Sequence, residues 1–356
     1  MSVGRAIARA LARWESLLVV LILAAGIWSS TLSPFFLHSA NLLDLLTPYA
    51  FMGVIAFGLT FVVIAGEIDI SVISTMAVSA VCFAQIWHAG ANVWLAVVAG
   101  LVIAAGLGLV NGILIGVFKL PSLAVTLGTL AAYRALAYVI LGGSARSGFP
   151  TEFTNIGGGY IGTQLPEALL VLIGCALVLG FVLHATRFGR YVYALGSNRE
   201  ATRFSGVPDT GVRVAIFVLS GLMAGIAGIV YLGYFGSVQA DAASGTELVT
   251  VVTVVVLGGV DIFGGAGTML GVFLALVLIA VLNNGMQLAN IGGATQQIVI
   301  GALLLGAILA GNVVRAVQAR GLPWRRAHGP RKEVGEPESV TQVAVGQGGS
   351  ISRQGG

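Results

Sequence analysis

The stretch FGLTFVVIAGEIDIS, residues 57–71, carries two carboxylates directly after an apolar run. A second stretch, GGVDIFGGAG at residues 258–267, places Asp261 after the apolar run Val249–Leu257 in the same way. A charged side chain at the centre of a lipid bilayer costs at least about 2.5–3.5 kcal/mol. Both stretches therefore raise the same question, which is where a chain built for lipid can place Asp69 and Asp261.

The composition of the whole chain predicts a polytopic helical membrane protein. Of its 356 residues, 57% are hydrophobic and only 9% are charged, and the mean hydropathy is +0.97, whereas soluble domains carry about 25% charged residues. Residues 214–314 contain no Lys, Arg or His. The strands of a membrane barrel would alternate apolar and polar residues. Because these apolar runs are continuous, we predict an all-α bundle.

Apolar runs of about 20 residues, enough to cross a bilayer, divide the chain into ten predicted segments. The eighth is short and interrupted by glycine, which indicates broken or re-entrant segments. A Gly-, Ser- and Thr-rich loop is expected at 142–166, and residues 1–15 and 315–356 are expected to flank a membrane domain at 16–314, the latter as a disordered tail. The segments are 16–36, 42–65, 70–88, 93–117, 122–141, 167–186, 213–234, 247–263, 267–285 and 295–314.

The distribution of charge predicts that both ends of the chain are cytoplasmic. With ten crossings, all but two of the 18 Lys and Arg residues fall on one side of the membrane. The exceptions are Arg146, in a loop on the other side, and Arg134, within a segment. Cytoplasmic loops are enriched in Lys and Arg, so the net charge of +4 is explained by membrane topology and not by nucleic-acid binding.

The inside loop RFGRYVYALGSNREATRFSGVPDTGVR, residues 187–213, is longer than a connection between two membrane helices requires. Ser197 and Glu200 fit a capping box, and Gly206 can end a helix in the left-handed conformation. Together they predict a two-turn helix at about 198–205. A helix this short is unstable alone in water, so we expect it to dock either on lipid headgroups or on a cytosolic partner.

A family resemblance rests on five stretches, several of them in the family's order: GEIDIS, PSLAVTLGTLAAYRAL, ALGSNREATRFSGV, VVVLGGVDIFGGAGTMLG and VLNNGMQLANI. They resemble the membrane subunit of bacterial ABC importers for monosaccharides, which include ribose, xylose, galactoside, rhamnose and autoinducer-2 permeases. The resemblance covers residues 40–312, and the opening RWESLL is most similar to rhamnose permeases. One departure is Glu67, where many members have a second glycine before Ile-Asp.

The resemblance implies an inner-membrane permease subunit with three protein partners. These are an ATPase inside, a periplasmic sugar-binding protein outside, and a second permease subunit, identical or paralogous. ATP and Mg²⁺ would be bound by the ATPase, and this chain contains no G-x-x-x-x-G-K-[ST] phosphate loop of its own. The loop helix would couple the two subunits. The residues with this implied role are Asn198, Arg199, Glu200, Ala201, Arg203, Phe204 and Ser205.

Polar residues within the predicted segments are candidates for the substrate pathway, since such residues usually face the bundle interior or a water-filled path. For the Asn and Gln residues the alternative is interhelical hydrogen bonding, and for Arg134 it is snorkelling to headgroups. The sequence shows no pairing of nucleophile and base and no metal-ligand spacing, so we predict neither an enzyme nor a cofactor. The candidates are Asn111, Tyr133, Arg134, Asn283, Asn284 and Gln287.

Asp69 and Asp261 are predicted to stand at Gly-containing turns on the inside, as helix caps and hinges. A carboxylate at the start of a helix accepts hydrogen bonds from unpaired backbone N–H groups, and glycine lets the chain turn tightly. The alternative function is a cation-coupled secondary transporter, in which Asp69, Glu67 or Asp261 would carry the coupling ion.

Overall fold

The computed structural model describes residues 14–162, 165–239 and 245–320. Most of the predicted cytoplasmic start (residues 1–13) and most of the predicted tail (residues 321–356) lie outside the described residues. The part that is described is built from helices and four two-residue strands.

Fourteen α-helices follow one another in the described ranges. The first seven are α1 (Trp14–Leu32), α2 (Ser39–Asp44), α3 (Ala50–Ile64), α4 (Val72–His88), α5 (Val93–Gly112), α6 (Ser122–Leu141) and α7 (Thr151–Gly158). The other seven are α8 (Glu167–Ala185), α9 (Arg187–Ser197), α10 (Arg199–Phe204), α11 (Asp209–Phe235), α12 (Gly245–Leu257), α13 (Met269–Leu288) and α14 (Gly293–Arg320). A 3₁₀ turn at Thr47–Tyr49 precedes α3, and a π-helical turn at Ile113–Val117 extends α5. Two antiparallel strand pairs join β1 (Arg146–Ser147) to β4 (Ser237–Val238) and β2 (Tyr160–Ile161) to β3 (Leu165–Pro166).

Each of the ten predicted segments contains a helix. Within the described residues, seven helical spans are long and apolar enough to cross a membrane. The other three segments hold shorter apolar helices, at Val72–His88, Thr246–Leu257 and Gly293–Leu309. The predicted fold class, a polytopic all-α membrane bundle with short or broken segments, is confirmed.

The bundle has a buried centre and an apolar surface. Helices α3, α4, α11 and α13 carry many of the buried side chains, whereas α1, α5, α6 and α8 expose large apolar residues such as Leu23, Val102 and Leu177. Exposing apolar area to water costs about 25 cal/mol per Å². Lipid tails remove this cost, which is why helices at the surface of a membrane bundle can carry such side chains.

Helices α5 and α11 touch backbone to backbone through glycines. A Cβ added to Gly108 would overlap the carbonyl oxygen of Phe217, and one added to Gly221 would overlap that of Ala104. Small residues permit this close approach between membrane helices. Helix α11 packs on α3 and α4 as well, so it is a central helix of the bundle.

The segment 142–166, predicted as a loop, contains the helix α7. Glu152 lies in its first turn after Pro150, and both residue types favour a helix start. Phe153 stacks on Phe83 of α4, with ring centroids 4.3 Å apart, and Gly157 packs directly against the backbone of α11. The loop prediction is wrong here because these tertiary contacts stabilise a helix that eight residues alone would not form.

The last helix also differs from the prediction. Helix α14 continues to Arg320, so residues 315–320, predicted as the start of a disordered tail, are helical.

Candidate functional site

Three backbone segments meet at one end of the bundle: the first turn (residues 66–71), the second turn (residues 258–267) and the end of α9. The N–H of Gly265 donates to the carbonyl oxygen of Ile64 at 2.8 Å. A Cβ added to Gly196 would overlap that same carbonyl group. The two aspartate-bearing turns therefore lie side by side, with the loop that follows α8 packed against both.

The predicted loop helix is present as α10, but its cap lies one residue later than predicted. Asn198 is the N-cap, and its Oδ1 accepts from the backbone N–H three residues on at 3.0 Å. Ser197 belongs to the last turn of α9, where its hydroxyl donates to the carbonyl oxygen of Tyr193 at 2.8 Å. The predicted capping box of Ser197 and Glu200 is wrong, because Ser197 is already part of the preceding helix.

One side chain of α10 is buried, and the others are exposed. Thr202 is 6% exposed, and its hydroxyl donates to the carbonyl oxygen of Ala194 in α9 at 2.7 Å. Gly206 ends the helix with a φ of +76°, as predicted. Phe204 is 91% exposed. The other exposed residues of the predicted coupling set are Asn198, Arg199, Glu200, Ala201, Arg203 and Ser205.

Glu67 in the first turn connects α10 to the bundle. Its Oε1 forms an ion pair with Nη2 of Arg199 in α10 and lies 3.5 Å from Nη1 of Arg213 in α11. Nε of Arg213 is also 2.7 Å from Oδ1 of Asp209. Glu67 and Arg213 are 4% and 6% exposed, so both charges are buried and depend on their partners. The only signal for this site in the sequence is the departure at Glu67 from the family's second glycine.

Asp69 lies two residues further along and is buried in a hydrogen-bond network. Its Oδ1 accepts from the N–H of Ser71 at 3.0 Å and from the Ser71 hydroxyl at 2.7 Å. Its Oδ2 accepts from the hydroxyl of Ser220 in α11 at 3.0 Å. Since Ser71 is the N-cap of α4, Asp69 holds the cap residue and does not bond to the first turn of the helix itself.

Asp261 is partly exposed and bonds within its own turn. Its Oδ1 accepts from the N–H of Phe263 at 2.9 Å. Helix α13 begins at Met269, and its N-cap is Thr268, whose hydroxyl oxygen accepts from the backbone three residues on at 3.0 Å. The prediction that Asp261 caps the following helix is wrong, because the second turn extends too far between the two.

Two other elements hold the second turn. From α1, Nε1 of Trp14 donates to the carbonyl oxygen of Leu257 at 2.8 Å, and Glu15 accepts from the hydroxyl of Thr268 at 2.9 Å. From α9, the hydroxyl of Tyr193 donates to the carbonyl oxygen of Gly267 at 2.7 Å. The turn is thus fixed mainly through its backbone.

The predicted pathway residues fall into separate groups. The first group belongs to the hydrogen-bond network of Asp69. Nδ2 of Asn111 donates to the hydroxyl of Ser71 at 2.8 Å, and the hydroxyl of Tyr133 lies 3.4 Å from Oδ1 of Asn111. The network therefore links the first turn to α5, α6 and α11. Arg134, on the same helix as Tyr133, is exposed.

The second group lies at the other end of α11. Asn283 is 3% exposed, while Asn284 exchanges amide hydrogen bonds with Asn41. Asn284 and Gln287 line a cavity of about 550 Å³. The sequence does not place Asn41 in this group, because the pair is separated by 243 residues.

One end of this helical membrane bundle holds a short exposed helix against two glycine turns, and comparison with known proteins shows the class of protein to which the chain belongs. The family model described as "Branched-chain amino acid transport system / permease component" matches residues 41–308, which is more than half of the chain. The chain belongs to this family of permease components. No solved structure matches it significantly.

Several curated proteins are similar over nearly their whole length. The ribose import permease protein of Bacillus subtilis is 36% identical over 283 residues, 79% of this chain and 87% of the relative. The ribose import permease protein of Escherichia coli K12 is 34% identical over 302 residues, which are 84% of this chain and 93% of the relative. The autoinducer 2 import system permease protein of Escherichia coli K12 is 30% identical over 325 residues, which are 89% of this chain and 98% of the relative. The resemblance seen in the five sequence stretches is confirmed.

Proposed function

We propose that the chain is the transmembrane subunit of an ATP-driven, binding-protein-dependent importer that carries a monosaccharide across the bacterial inner membrane. The support is the similarity to three import permeases, two of them for ribose and one for autoinducer 2, over 79–89% of the chain. Rhamnose or a related sugar is the finer candidate, because the opening RWESLL resembles rhamnose permeases.

The observation that carries this proposal is the exposed helix α10. A helix of six residues does not persist alone, and this one is fixed at its base by Thr202 and Arg199 while Phe204 stays 91% exposed. A large, exposed apolar side chain at the end of a charged helix suits a pocket on a partner protein. The proposed partner is an ATPase subunit, which binds ATP and Mg²⁺ on behalf of the complex.

The proposed mechanism is alternating access driven from α10. A movement of α10 pulls on Arg199 and Glu67 and so on the first turn. This turn is bonded through Asp69 and Ser71 to α11 and α5, so its displacement changes how these helices pack. A soluble periplasmic binding protein delivers the sugar at the other end, and a second permease subunit, identical or paralogous, completes the path. Lipid surrounds the assembly, and nucleic acid has no part in it.

Reconstitution tests the function directly. The permease, co-expressed with the candidate ATPase and purified, is expected to retain the ATPase and, in proteoliposomes with the binding protein, to import labelled monosaccharide only when ATP is supplied. Uptake driven by a proton or sodium gradient without ATP would support the cation-coupled alternative and reject the proposal.

Topology is tested separately with reporter fusions. Both termini are proposed to be cytoplasmic, because the basic residues segregate to that side. A reporter at Gly143, whose added Cβ would meet nothing within 4 Å, is expected in the periplasm, and one at Gly329 in the cytoplasm. Two reporters on the same side would contradict this orientation.

A further inference from the structure

A polar cavity of about 550 Å³ lies at the end of the bundle opposite to α10. Helix α11 begins beside the ion pairs of Glu67 and reaches the cavity with Tyr234, next to its last residue. The volume falls in the range of about 300–1,000 Å³ typical of small-molecule sites. Six side chains with hydrogen-bonding groups line it: Asn41, Asp44, Tyr160, Tyr234, Asn284 and Gln287.

Four of these side chains are held in place by one another. Asn41 and Asn284 exchange two amide hydrogen bonds of 3.0 and 2.9 Å, and Nδ2 of Asn41 also donates to the carbonyl oxygen of Phe36 at 2.8 Å. The hydroxyl of Tyr160 donates to Oδ1 of Asp44 at 3.3 Å. The negative charge of Asp44 raises the pKa of Tyr160, so the phenol stays protonated. Groups fixed in this way do not have to be ordered when a ligand binds.

Hydrogen-bonding capacity remains after these bonds are made. Across the described ranges, no hydrogen bond occupies Oδ2 of Asp44 or the side-chain amide of Gln287, and Asn284 has used only one of its two N–H donors. The cavity therefore offers donors and acceptors together. None of its described lining residues is a cation.

This chemistry selects a class of ligand. The hydroxyl groups of a sugar ring both donate and accept, as the amide, phenol and carboxylate groups here require, and tyrosine rings offer apolar faces to its C–H groups. An anion would meet the carboxylate of Asp44 with no cation to offset it. A branched aliphatic side chain would leave the polar lining without partners, which costs free energy for each unpaired group.

We propose that this cavity is a binding site for one neutral, polyhydroxylated ring, a monosaccharide, which occupies it on entering the membrane path. The inference rests on the proposed function and adds to it the place and the chemistry of recognition. Asp44, Asn284 and Gln287 are the residues that hydrogen bond to the sugar.

Saturation-transfer NMR tests the site on the permease–ATPase complex in lipid nanodiscs, without the soluble binding protein. The probes are D-ribose, D-xylose, D-galactose and L-rhamnose, with L-leucine for contrast. We expect transfer to the ring protons of at least one sugar and none to leucine. Loss of one hydrogen bond should weaken binding about three- to tenfold in Gln287→Leu and in the more conservative Asp44→Asn. Gln297→Leu, an exposed glutamine outside this cavity, is the matched control and should bind as the wild type does.

Several outcomes overturn the site: no transfer to any of the four sugars, equal transfer in wild type and in both cavity variants, or a leucine signal above those of the sugars. Variants that lose only the docking of the binding protein would also reject it, because the cavity would then receive a protein side chain. Uptake assays separate this failure from failure of the function. Normal ATP-driven import of a monosaccharide without binding in the cavity rejects the site alone, whereas absence of import by the wild type rejects the function.

Discussion

The first and second turns begin in the same way and end with different roles. At the first, Gly66 donates to the carbonyl oxygen of Val63 at 2.9 Å and has a φ of +76°. At the second, Gly259 donates to the carbonyl oxygen of Val256 at 3.0 Å and has a φ of +83°. Both glycines thus end their helices in the left-handed conformation. Yet Asp69 is buried among side chains of other helices, whereas Asp261 is partly exposed within its own turn.

A shift of one residue accounts for part of this difference. Counted from the left-handed glycine, Asp69 is the third residue and Asp261 is the second. Both stretches contain the pattern Gly-x-(Ile/Val)-Asp-Ile, but the pattern does not occupy the same backbone positions in the two turns. When the left-handed glycines are superposed, Glu67 corresponds to Val260. The comparison teaches that the glycine's conformation, and not the motif, determines which side chains a turn directs into the bundle.

The largest expected effect concerns the helix tied to the first turn. Arg203→Glu should weaken docking of the ATPase by about 2–5 kcal/mol, which corresponds to about 30-fold or more, because a partner's charge would be left unpaired. The retained ATPase and the sugar imported per ATP are the measurements. Lys119→Glu, the same charge change in another exposed position on this side, should leave both unchanged. Normal import by Arg203→Glu would show that α10 is not the coupling helix.

Alanine at the two aspartates compares the turns directly. Asp69→Ala removes the acceptor of three hydrogen bonds and leaves buried donors of Ser71 and Ser220 unpaired, so we expect a loss of about 2–4 kcal/mol of stability. Asp261→Ala, in a partly exposed turn, should cost less than about 1 kcal/mol. Thermal unfolding in nanodiscs measures both. Equal losses of stability in the two variants would show that Asp69 and Asp261 do not differ in their structural roles.

A smaller effect is expected at the ion pair. Glu67→Gln leaves Arg213 with Asp209 as its remaining partner, so the loss should be about 1–3 kcal/mol, accompanied by more ATP hydrolysed per sugar imported. Arg199→Gln should cost less than about 1 kcal/mol, because half of the arginine side chain is exposed. A double-mutant cycle isolates the energy of the pair, and additive losses would show that the first turn is not linked energetically to α10.

A smaller effect than that of Asp69→Ala is expected for Asp69→Asn. An amide can still accept from Ser71 and can donate to the hydroxyl of Ser220, although neutral hydrogen bonds are about half as strong as charged ones. We expect a loss of about 1 kcal/mol and substantial import. If the asparagine variant folds but imports no better than Asp69→Ala, a role in proton transfer replaces the structural one.

Features set by local composition could be predicted from the sequence. The ten apolar segments, the exposed helix α10 and the left-handed Gly206 follow from hydropathy and from the residue types near a helix end. The predicted caps at Ser197 and Asp261 were wrong, because several polar residues compete for each helix start and only the backbone path decides among them. Thr268, directly before an apolar run, was a signal for the true cap of α13.

Features set by contacts between distant parts of the chain could not be predicted. The pair of Glu67 and Arg199 spans 132 residues, and that of Asn41 and Asn284 spans 243. No periodicity in one sequence connects such positions. Helix α7 was missed for the same reason, since its stability depends on Phe83 and on the backbone of α11.

The enclosure of α4 has a consequence for how the protein is made. This helix is 17 residues long and carries the buried polar residues Ser74, Thr75 and Ser79. It is therefore unfavourable in lipid until its neighbouring helices cover these residues. Helix α5 arrives almost at once and accepts a hydrogen bond from Ser79, but α11 begins at Asp209. At about 5–20 residues per second, the ribosome needs on the order of ten seconds to supply it. During that interval the face of α4 that packs on α11 in the folded bundle lacks this neighbour.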